Sequence, residues 1–546
     1  MAGQASVDRT LACLAGERTL ERIWGRDHTV WSPDPEGVAD RLGWLSADRW
    51  IRPRLDEVRQ FAADVIAEGI EHIVLLGMGG SSRAARAIGR TLPARPGYPE
   101  MIPVESTLPS VVLPVLDQID LARSMVILSS KSGTTIEPLM LYRVLRDAMD
   151  TALGAGPAGR RFAAITDPGT PLVDLARDQG FGKVFLGDPT IGGRFSALTH
   201  FGLVPTALLG ISVESLVQEG TRMRRLCGPG VSPNANPAAS LGAAIGSMSL
   251  AGWDKLTLVV SPGMFGFGHW VVQLVAESLG KDGKGIIPVA GEPPVDPDLY
   301  GDDRLFVYLR LDGDDNDSTD EAIGELSDRG HPVIILRMQS RQELGAEFFR
   351  WELAVAVAAA VIGVNPFDQP HVQMSKDRTR NILGGLRGGL DLTAGAHQIE
   401  QGARELARLL ASRRDGDYLG ILAFLPANGG VEGALRELRE RAVRHYRLAT
   451  TLGHGPGYLH STGQLHKGGP ATGIFLVLTA PHHRDAAIPG EPYSLGEVTD
   501  ADSLGDLGAL GQMGRRLVHV RLTDHSAHAV ESLTAAIDRN ALSAGQ

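Results

Sequence analysis

Residues 129–137 read SSKSGTTIE and combine three serines, two threonines, a lysine and a glycine. The apolar run 124–128 before them predicts a buried strand, and the pattern of 136–153 after them predicts a helix. Hydroxyl groups at such a turn can donate to phosphate oxygens, Lys131 adds positive charge, and Gly133 lets the backbone come close. The same residue types also favour helix N-caps. From this stretch alone, phosphate binding and simple capping are both open.

A second glycine-rich turn, GMGGSS at 77–82, also lies between a predicted strand and a predicted helix. Its spacing does not fit the GxGxxG fingerprint of dinucleotide sites, and the acidic residue expected downstream is not evident. A turn that lets a sugar approach the backbone fits better. The alternative is a tight turn that binds no ligand.

The elements that must position these turns follow an alternation of strands and helices. The predicted strands are 72–76, 124–128, 161–166, 255–261, 304–309, 331–336, 418–424, 473–478 and 517–522. Helical patterns lie between them, including one at 345–363, another from about 371, a charged amphipathic one at 394–414 and a basic one at 431–446. This alternation is typical of parallel sheets with helices on both faces.

We therefore predict an α/β protein with two doubly wound, three-layer αβα domains and an α/β extension at the C-terminus. The predicted units are an N-terminal helical segment at 1–55, domains at 56–228 and 238–390, and the extension at 391–546. The stretch 227–237, rich in Pro, Asn and Gly, is predicted to be a linker between the two domains.

Composition excludes several classes of function. The 546 residues have a net charge of -11 and no run of Lys or Arg, so a nucleic-acid partner is not expected. Two cysteines, Cys13 and Cys227, cannot build a disulfide framework or a zinc site. The N-terminus does not read as a signal peptide, and no segment reaches the ~18 apolar residues of a membrane span. We expect a cytoplasmic protein without a membrane partner.

Further stretches, taken with the two turns, resemble a known family. GMGGSS followed by SSKSGTT resembles the sugar isomerase (SIS) domain, which binds phosphosugars. The segments IGGRFS at 191–196, AESLGK at 276–281 and NPFDQPHVQMSK at 365–376 resemble three ordered motifs of the glucose-6-phosphate isomerase family. The chain is most similar to the isomerase half of transaldolase–isomerase fusions, and the similarity is expected to run to the C-terminus.

The resemblance implies roles for individual residues. Glu277 would be the base that moves a proton between C2 and C1, and burial beside an apolar helix face suits that task. Arg194 would stabilise the oxyanion, and Lys376 would assist opening of the sugar ring. Residues that match the phosphate loop and the sugar-contacting turn are Ser130, Lys131, Ser132 and Thr135, and Gly80 and Ser81. Without the motifs, each would read as an ordinary structural residue.

The histidine that the family uses for ring opening is missing from its usual place after the glutamate motif. We predict that His466, in TGQLHK, takes this role, although the stretch would also serve as a turn or a subunit contact. His331 and His371 are weaker candidates. The pair His482 and His483 lacks a third ligand at useful spacing, so no metal is expected.

The resemblance implies reversible isomerisation of D-glucose 6-phosphate and D-fructose 6-phosphate, in glycolysis and gluconeogenesis, without cofactor or metal. It also implies a homodimer. One alternative is an isomerase for another phosphosugar, such as mannose 6-phosphate. The other is a sugar-phosphate sensor without catalysis, for which the displaced histidine is the best argument.

Overall fold

The computed structural model describes residues 2–386, 390–393 and 395–544 of the chain. The N-terminal segment contains three helices, which are α1 (Ala2–Gly16), α2 (Thr19–Trp24) and α3 (Ala47–Ile51). Short 3₁₀ turns at Gly43–Ser46 and Arg52–Arg54 flank α3. The predicted helix start at residue 394 and the outer ends of the first and last predicted units lie outside the described residues.

The first parallel sheet has the strand order β2-β1-β3-β4-β5. Its strands are β1 (His72–Gly77), β2 (Glu100–Val104), β3 (Ser124–Ser129), β4 (Phe162–Thr166) and β5 (Lys183–Leu186). The helices of this domain are α4 (Leu55–Ala67), α5 (Arg83–Thr91), α6 (Pro109–Gln118), α7 (Ile136–Leu153), α8 (Ala155–Arg160), α9 (Pro171–Asp178), α10 (His200–Leu208) and α11 (Val213–Leu226). Every residue of β3 is buried, as expected for a strand with helices on both faces.

The second sheet has the order β7-β6-β8-β9 and is also parallel. Its strands are β6 (Lys255–Val260), β7 (Ile287–Ala290), β8 (Arg304–Leu311) and β9 (Val333–Met338). Its helices are α12 (Pro237–Leu250), α13 (Phe265–Leu279), α14 (Asp317–Asp328), α15 (Leu344–Ile362) and α16 (Pro370–Gly385). One apolar core runs from the N-terminal segment through the first domain and into the second.

The third section is an α/β domain with a parallel sheet in the order β11-β10-β12-β13. Its strands are β10 (Tyr418–Ala423), β11 (Ala449–His454), β12 (Gly473–Thr479) and β13 (Arg516–Arg521). Its helices are α17 (Ile399–Ala411), α18 (Gly429–Tyr446), α19 (Gly463–Gly468), α20 (Leu495–Gln512) and α21 (Ala527–Ala544). It has its own core, and α20 also packs its apolar residues against those of the first domain.

The predicted fold class is confirmed: the described residues form three parallel α/β sheets with helices on both sides. The predicted domain bounds stay predictions. The stretch 227–237 differs from a free linker, because Cys227 is buried and its carbonyl accepts hydrogen bonds from Trp24 Nε1 (2.8 Å) and Asn236 Nδ2 (3.1 Å). Within the described ranges, no helix has the length and apolar character needed to cross a bilayer.

Candidate active site

The two glycine- and serine-rich turns lie side by side at one edge of the first sheet. β1 pairs with β3 in parallel, with Gly77 opposite Ser129, so the turns that follow them emerge together. The hydroxyl of Ser129 donates to the carbonyl of Ser81 at 2.7 Å. The chain reverses its direction across the sheet between β1 and β3, and such switch points are where open α/β sheets bind ligands.

The hydroxyls of the SSKSGTT loop are not used to cap the helix behind it. Thr135 is the N-cap of α7, yet its side chain makes no capping hydrogen bond. Ser130 Oγ lies 3.2 Å from Thr135 Oγ1, and Ser132 Oγ accepts from the backbone N–H of Thr134 at 3.3 Å. Ser132 and Thr134 are exposed. The first turn of α7 therefore keeps backbone donors available for an anion.

Lys131 is not the free positive charge that the sequence of the loop suggests. Its ammonium pairs with the carboxylate of Asp167 and lies 3.5 Å from the carbonyl of Asp188. Burial lowers the pKa of Lys131 and raises that of Asp167, while each partner opposes the shift of the other. Much of the positive charge expected at the loop is therefore already compensated within the first domain.

The glycines of the GMGGSS turn make room for other protein backbone. A Cβ on Gly80 would lie 2.2 Å from the carbonyl carbon of Gly193, and one on Gly79 would lie 2.4 Å from the carbonyl oxygen of His460. Gly79 also has a φ of +57°, which favours glycine. This turn thus joins the Arg194 loop of the first domain to the third domain.

Arg194 connects three parts of the site. Its Nε donates to Ser278 Oγ at 2.8 Å, and its Nη2 donates to the carbonyls of Asp368, at 2.9 Å, and Pro366. Its Nη1 lies 3.1 Å from Glu277 Oε1 and 3.3 Å from Gln369 Oε1. Arg194 therefore binds structural carbonyls and also contacts the predicted base.

Glu277 lies near the C-terminal end of α13 and is 7% exposed. Oε1 accepts from Arg194, and Oε2 accepts from Gln273 Nε2 at 3.0 Å. Gln273 is one turn earlier on the same helix, so the helix itself sets this spacing. The structure thus brings Glu277 and Arg194 together, as the two separate motifs predict.

Lys281 holds the turn that contains Asp368. Its ammonium lies 2.5 Å from Asp368 Oδ1 and 2.6 Å from the Asp368 carbonyl. Burial lowers the pKa of Lys281 to about 8, with the Arg194 charge acting in the same direction and that of Asp368 opposing it. Asp368 therefore has a structural partner, and this contact holds the turn that contains Asp368 against the end of α13.

Lys376 lies on α16 and lines a small cavity between all three domains. The other residues around it include Thr134 and Glu137 from the first domain and His460 and Asp502 from the third. Among the described residues, no hydrogen-bond or ion-pair partner of the Lys376 ammonium is found. The cavity holds about 20 Å³, room for about one water.

His460, which the sequence analysis passed over, is the histidine in this cavity. Its Nε2 lies 2.6 Å from Glu137 Oε1, and both side chains are nearly buried. Its carbonyl accepts from Gln273 Nε2 at 3.1 Å, the same amide that donates to Glu277. Burial would raise the pKa of Glu137, but the charge and hydrogen bond of His460, with Lys376 nearby, hold it below its usual value.

A signal for His460 exists in the sequence. Glu137 ends the SSKSGTTIE stretch, and a carboxylate at that position is a natural partner for a histidine. His460 opens the HSTGQLHK stretch that drew attention to His466. The two histidines are six positions apart, and the residues around them do not indicate which one contacts Glu137.

His466 lies in a separate environment within the third domain. It is 2% exposed, and its ring lies 5.0 Å from that of Phe475 and 6.1 Å from that of Tyr458. Neither ring nitrogen has a hydrogen-bond partner among the described residues. Burial lowers the pKa of His466 to about 3, so the ring is neutral. The neighbouring Lys467 forms a buried ion pair with Asp506 at 2.5 Å.

Asp502 adds a second carboxyl to the cavity beside Glu137. It is 3% exposed, and its Oδ2 has no hydrogen-bond partner in the described part of the chain. Burial, with the charges of Glu137 and Asp506, raises its pKa well above the usual range. The neutral form of this carboxyl is therefore favoured in the folded protein.

The chain is similar to known proteins. A model of the phosphoglucose isomerase family matches residues 55–225, which include the SSKSGTT loop and Arg194. The glucose-6-phosphate isomerase of Parabacteroides distasonis is 29% identical over 390 residues, which are 63% of this chain and 87% of that protein. That of Symbiobacterium thermophilum is 28% identical over 390 residues, with 63% and 86% covered.

Solved structures share the fold. A hypothetical protein of Thermus thermophilus superposes with a TM-score of 0.62 at 22% identity, covering 70% of this chain and 99% of that one. A glucose-6-phosphate isomerase of Chlamydia trachomatis has a TM-score of 0.53 at 20% identity, covering 68% and 78%. The chain is thus similar in sequence to glucose-6-phosphate isomerases and shares the fold of one of them.

Proposed function

We propose that the protein interconverts D-glucose 6-phosphate and D-fructose 6-phosphate by proton transfer through an enediolate. The observation that supports this most is the buried pair of Glu277 and Arg194, 3.1 Å apart. The Gln273 amide connects this pair to the cavity of His460 and Lys376, because it donates to both Glu277 and the His460 carbonyl. A base, an oxyanion stabiliser and an acid/base pair are the groups that this reaction needs.

In the proposed isomerisation, Glu277 removes the proton from C2 of open-chain glucose 6-phosphate. The electron pair forms the C1–C2 double bond, and negative charge develops on the former aldehyde oxygen, to which Arg194 donates. The proton on Glu277 then returns to C1, and the hydroxyl proton moves from O2 to O1, which yields fructose 6-phosphate. We assign Nη1 of Arg194 to this step because its bonds here are to side chains only.

For the ring-opening step, we assign the acid and base to His460 and Lys376. Glu137 orients His460 through the 2.6 Å contact, as carboxylates do for catalytic histidines. Lys376 adds a second donor in the same cavity. His466 stays a prediction for this role. Its ring is buried and has no hydrogen-bond partner among the described residues, so the structure supports His460 better.

The phosphate is proposed to bind at the N-terminus of α7. Ser130, Ser132 and Thr135 would donate hydroxyl hydrogen bonds to the phosphate. Lys131 would add an electrostatic attraction that its ion pair with Asp167 weakens. Gly80 and Ser81 would line the sugar side of the site at the adjacent turn. The exposed Ser132 and the unused N-cap position of Thr135 support this proposal.

The test is coupled isomerase turnover on fructose 6-phosphate, with EDTA present, for wild type, Glu277→Gln and the control Glu352→Gln. Glu352 is also a buried helical glutamate, and burial raises its pKa, which favours the uncharged form that glutamine resembles in size and shape. We expect Glu277→Gln to lose about 10²–10⁴-fold in kcat and the control to stay near wild type.

Two results would contradict the proposal. Full turnover in Glu277→Gln would remove the base from the mechanism. A wild-type protein that binds fructose 6-phosphate without converting it would indicate a sugar-phosphate sensor instead.

We also propose that the protein acts in the cytoplasm as a homodimer, in glycolysis and gluconeogenesis. The resemblance to the isomerase family supports the dimer. Light scattering on the eluting peak of a gel-filtration column would check it, and a mass of one chain, 58.1 kDa, would contradict it.

A further inference from the structure

A large cleft lies away from the residues of the candidate active site, on the N-terminal segment and the first domain. It is formed by α3, the turn Arg52–Arg54 and the C-terminal end of α11, and it measures about 550 Å³. Its polar lining consists of Asp48, Arg49, Arg52, Thr221, Arg224 and Arg225. Clefts of this size accommodate small-molecule ligands such as nucleotides.

The lining has four positive side chains and one negative one, in a protein whose net charge is -11. The single carboxylate, Asp48, is buried and already bonded. It accepts from Thr221 Oγ1 at 3.0 Å and pairs with Arg224 at 3.1 Å. Asp48 therefore orients Arg224, and it does not neutralise the charges of Arg49, Arg52 and Arg225.

Two of the arginines extend into the cleft from exposed positions. Arg49 and Arg225 are exposed, and neither has a hydrogen-bond or ion-pair partner within the part of the chain that the structure describes. Arg52 makes one hydrogen bond, to Thr221 Oγ1 at 3.2 Å. At least two guanidinium groups thus present their paired N–H donors to the cleft.

Aromatic packing holds the backbone segment that carries Arg49 and Arg52 in place. Trp44, at the start of the same segment, is fully buried, and its ring lies 5.2 Å from that of Phe195. Trp50 contacts the ring of His200 at 5.1 Å and the guanidinium of Arg54 at 4.3 Å. The arginines on this segment therefore project from fixed backbone, which lowers the entropy cost of binding.

We propose that this cleft binds a small anion with two or more phosphate groups, with Arg49 and Arg225 as its principal contacts. The planar guanidinium fork matches phosphate oxygens with two parallel hydrogen bonds, and unlike an ammonium it is weakly hydrated. Four arginines against one aspartate suit a small polyanion such as pyrophosphate, whose two phosphate groups can engage two guanidinium forks together. The proposal concerns binding and does not depend on the isomerase activity.

The test is calorimetric titration of the full-length protein with inorganic pyrophosphate. Three proteins are compared: wild type, the double variant Arg49→Gln/Arg225→Gln, and the control Arg404→Gln/Arg436→Gln. The control removes the same charge at two exposed arginines that lie on α17 and α18, outside the cleft, and that have no hydrogen-bond or ion-pair partner among the described residues. Weak binding at the phosphate loop is common to all three proteins and cancels in the comparison.

We expect wild type and control to bind one pyrophosphate per chain at the cleft with equal affinity. The cleft variant should bind it at least about tenfold more weakly, because two bidentate contacts are lost. Unchanged thermal melting would show that the variant is folded, as expected for exposed side chains. An equal loss in the control, an unchanged affinity in the cleft variant, or no saturable binding by wild type would each overturn the proposal.

Discussion

Two histidines of the third domain offer a direct test of how the site opens the sugar ring. His460 contacts Glu137 in the cavity with Lys376, whereas His466 is enclosed by the rings of Tyr458 and Phe475. We choose His460→Gln, which keeps a polar side chain but cannot exchange a proton. For the second site we choose His466→Leu, which replaces the ring by an apolar group.

The two substitutions should differ in their effects on activity and on stability. General acid–base groups contribute about 10²–10⁴-fold, so His460→Gln should raise the barrier by about 3–5 kcal/mol. It also removes the imidazole that contacts the buried Glu137 carboxylate at 2.6 Å, which destabilises the fold. His466→Leu removes two buried ring nitrogens that have no partner in the described residues, and such a change is nearly neutral or stabilising.

Two assays separate ring opening from isomerisation. Coupled turnover of fructose 6-phosphate measures the whole reaction. Exchange between the α and β anomers of glucose 6-phosphate, followed by saturation-transfer NMR, requires ring opening but not proton transfer at C2. We expect His460→Gln to lose both activities, Glu277→Gln to lose only isomerisation, and His466→Leu to stay within about threefold of wild type in both.

One pattern would refute this reasoning. If His466→Leu lost both activities by about 100-fold with unchanged melting, while His460→Gln kept them, the buried histidine would be the acid/base group. The contact between His460 and Glu137 would then be purely structural.

Three further predictions follow from single contacts. Gly80→Ala places a methyl group 2.2 Å from the backbone of Gly193, so the loops must part by about 1 Å. Displacements of that size cost about 100-fold in kcat/KM, and wild-type kinetics would contradict the loop contact. Asp506→Asn leaves the buried Lys467 unpaired and should lower the free energy of unfolding in urea by about 3–5 kcal/mol; no loss would argue against the ion pair. Burial raises the pKa of Glu347 to about 7 from 4.5, so the charged form is disfavoured in the folded state. Stability should therefore fall by about 3 kcal/mol as the pH rises from about 4.5 to above 7, and Glu347→Gln should remove that fall in urea titrations at about pH 5 and about pH 8.

All nine predicted strands are present; seven lie inside their sheets, and two, β9 and β13, lie at an edge. β1, β3, β4, β6, β8, β10 and β12 all appear where continuous apolar runs lie between turn signals. The strands that escaped prediction are β2, β5, β7 and β11, and each lies at the edge of its sheet. Edge strands are short, partly exposed and tolerant of proline, as Pro103 in β2 and Pro288 in β7 illustrate, so their apolar pattern is weak.

The candidate site also combines features that are visible in the sequence with contacts that depend on the tertiary structure. The motifs that contain Glu277 and Arg194 are recognisable in the sequence, and the structure brings the two side chains together. Lys131 reads as a free charge in the sequence, yet Asp167, 36 positions away, pairs with it. The glycines of GMGGSS suggest close approach of a sugar, and the structure adds a second reason for them, because a Cβ at Gly79 or Gly80 would meet the backbone of two other loops.

The sequence by itself determined the α/β class, the hydroxyl-rich turn after β3 and the motifs that contain Glu277 and Arg194. These are local properties, because apolar periodicity and turn residues act over a few positions. Only the tertiary structure decided which histidine meets Glu137, since that contact joins residues 323 positions apart. His460 and His466 belong to one short stretch, and the packing of the third domain places one ring beside a carboxylate and the other among aromatic rings.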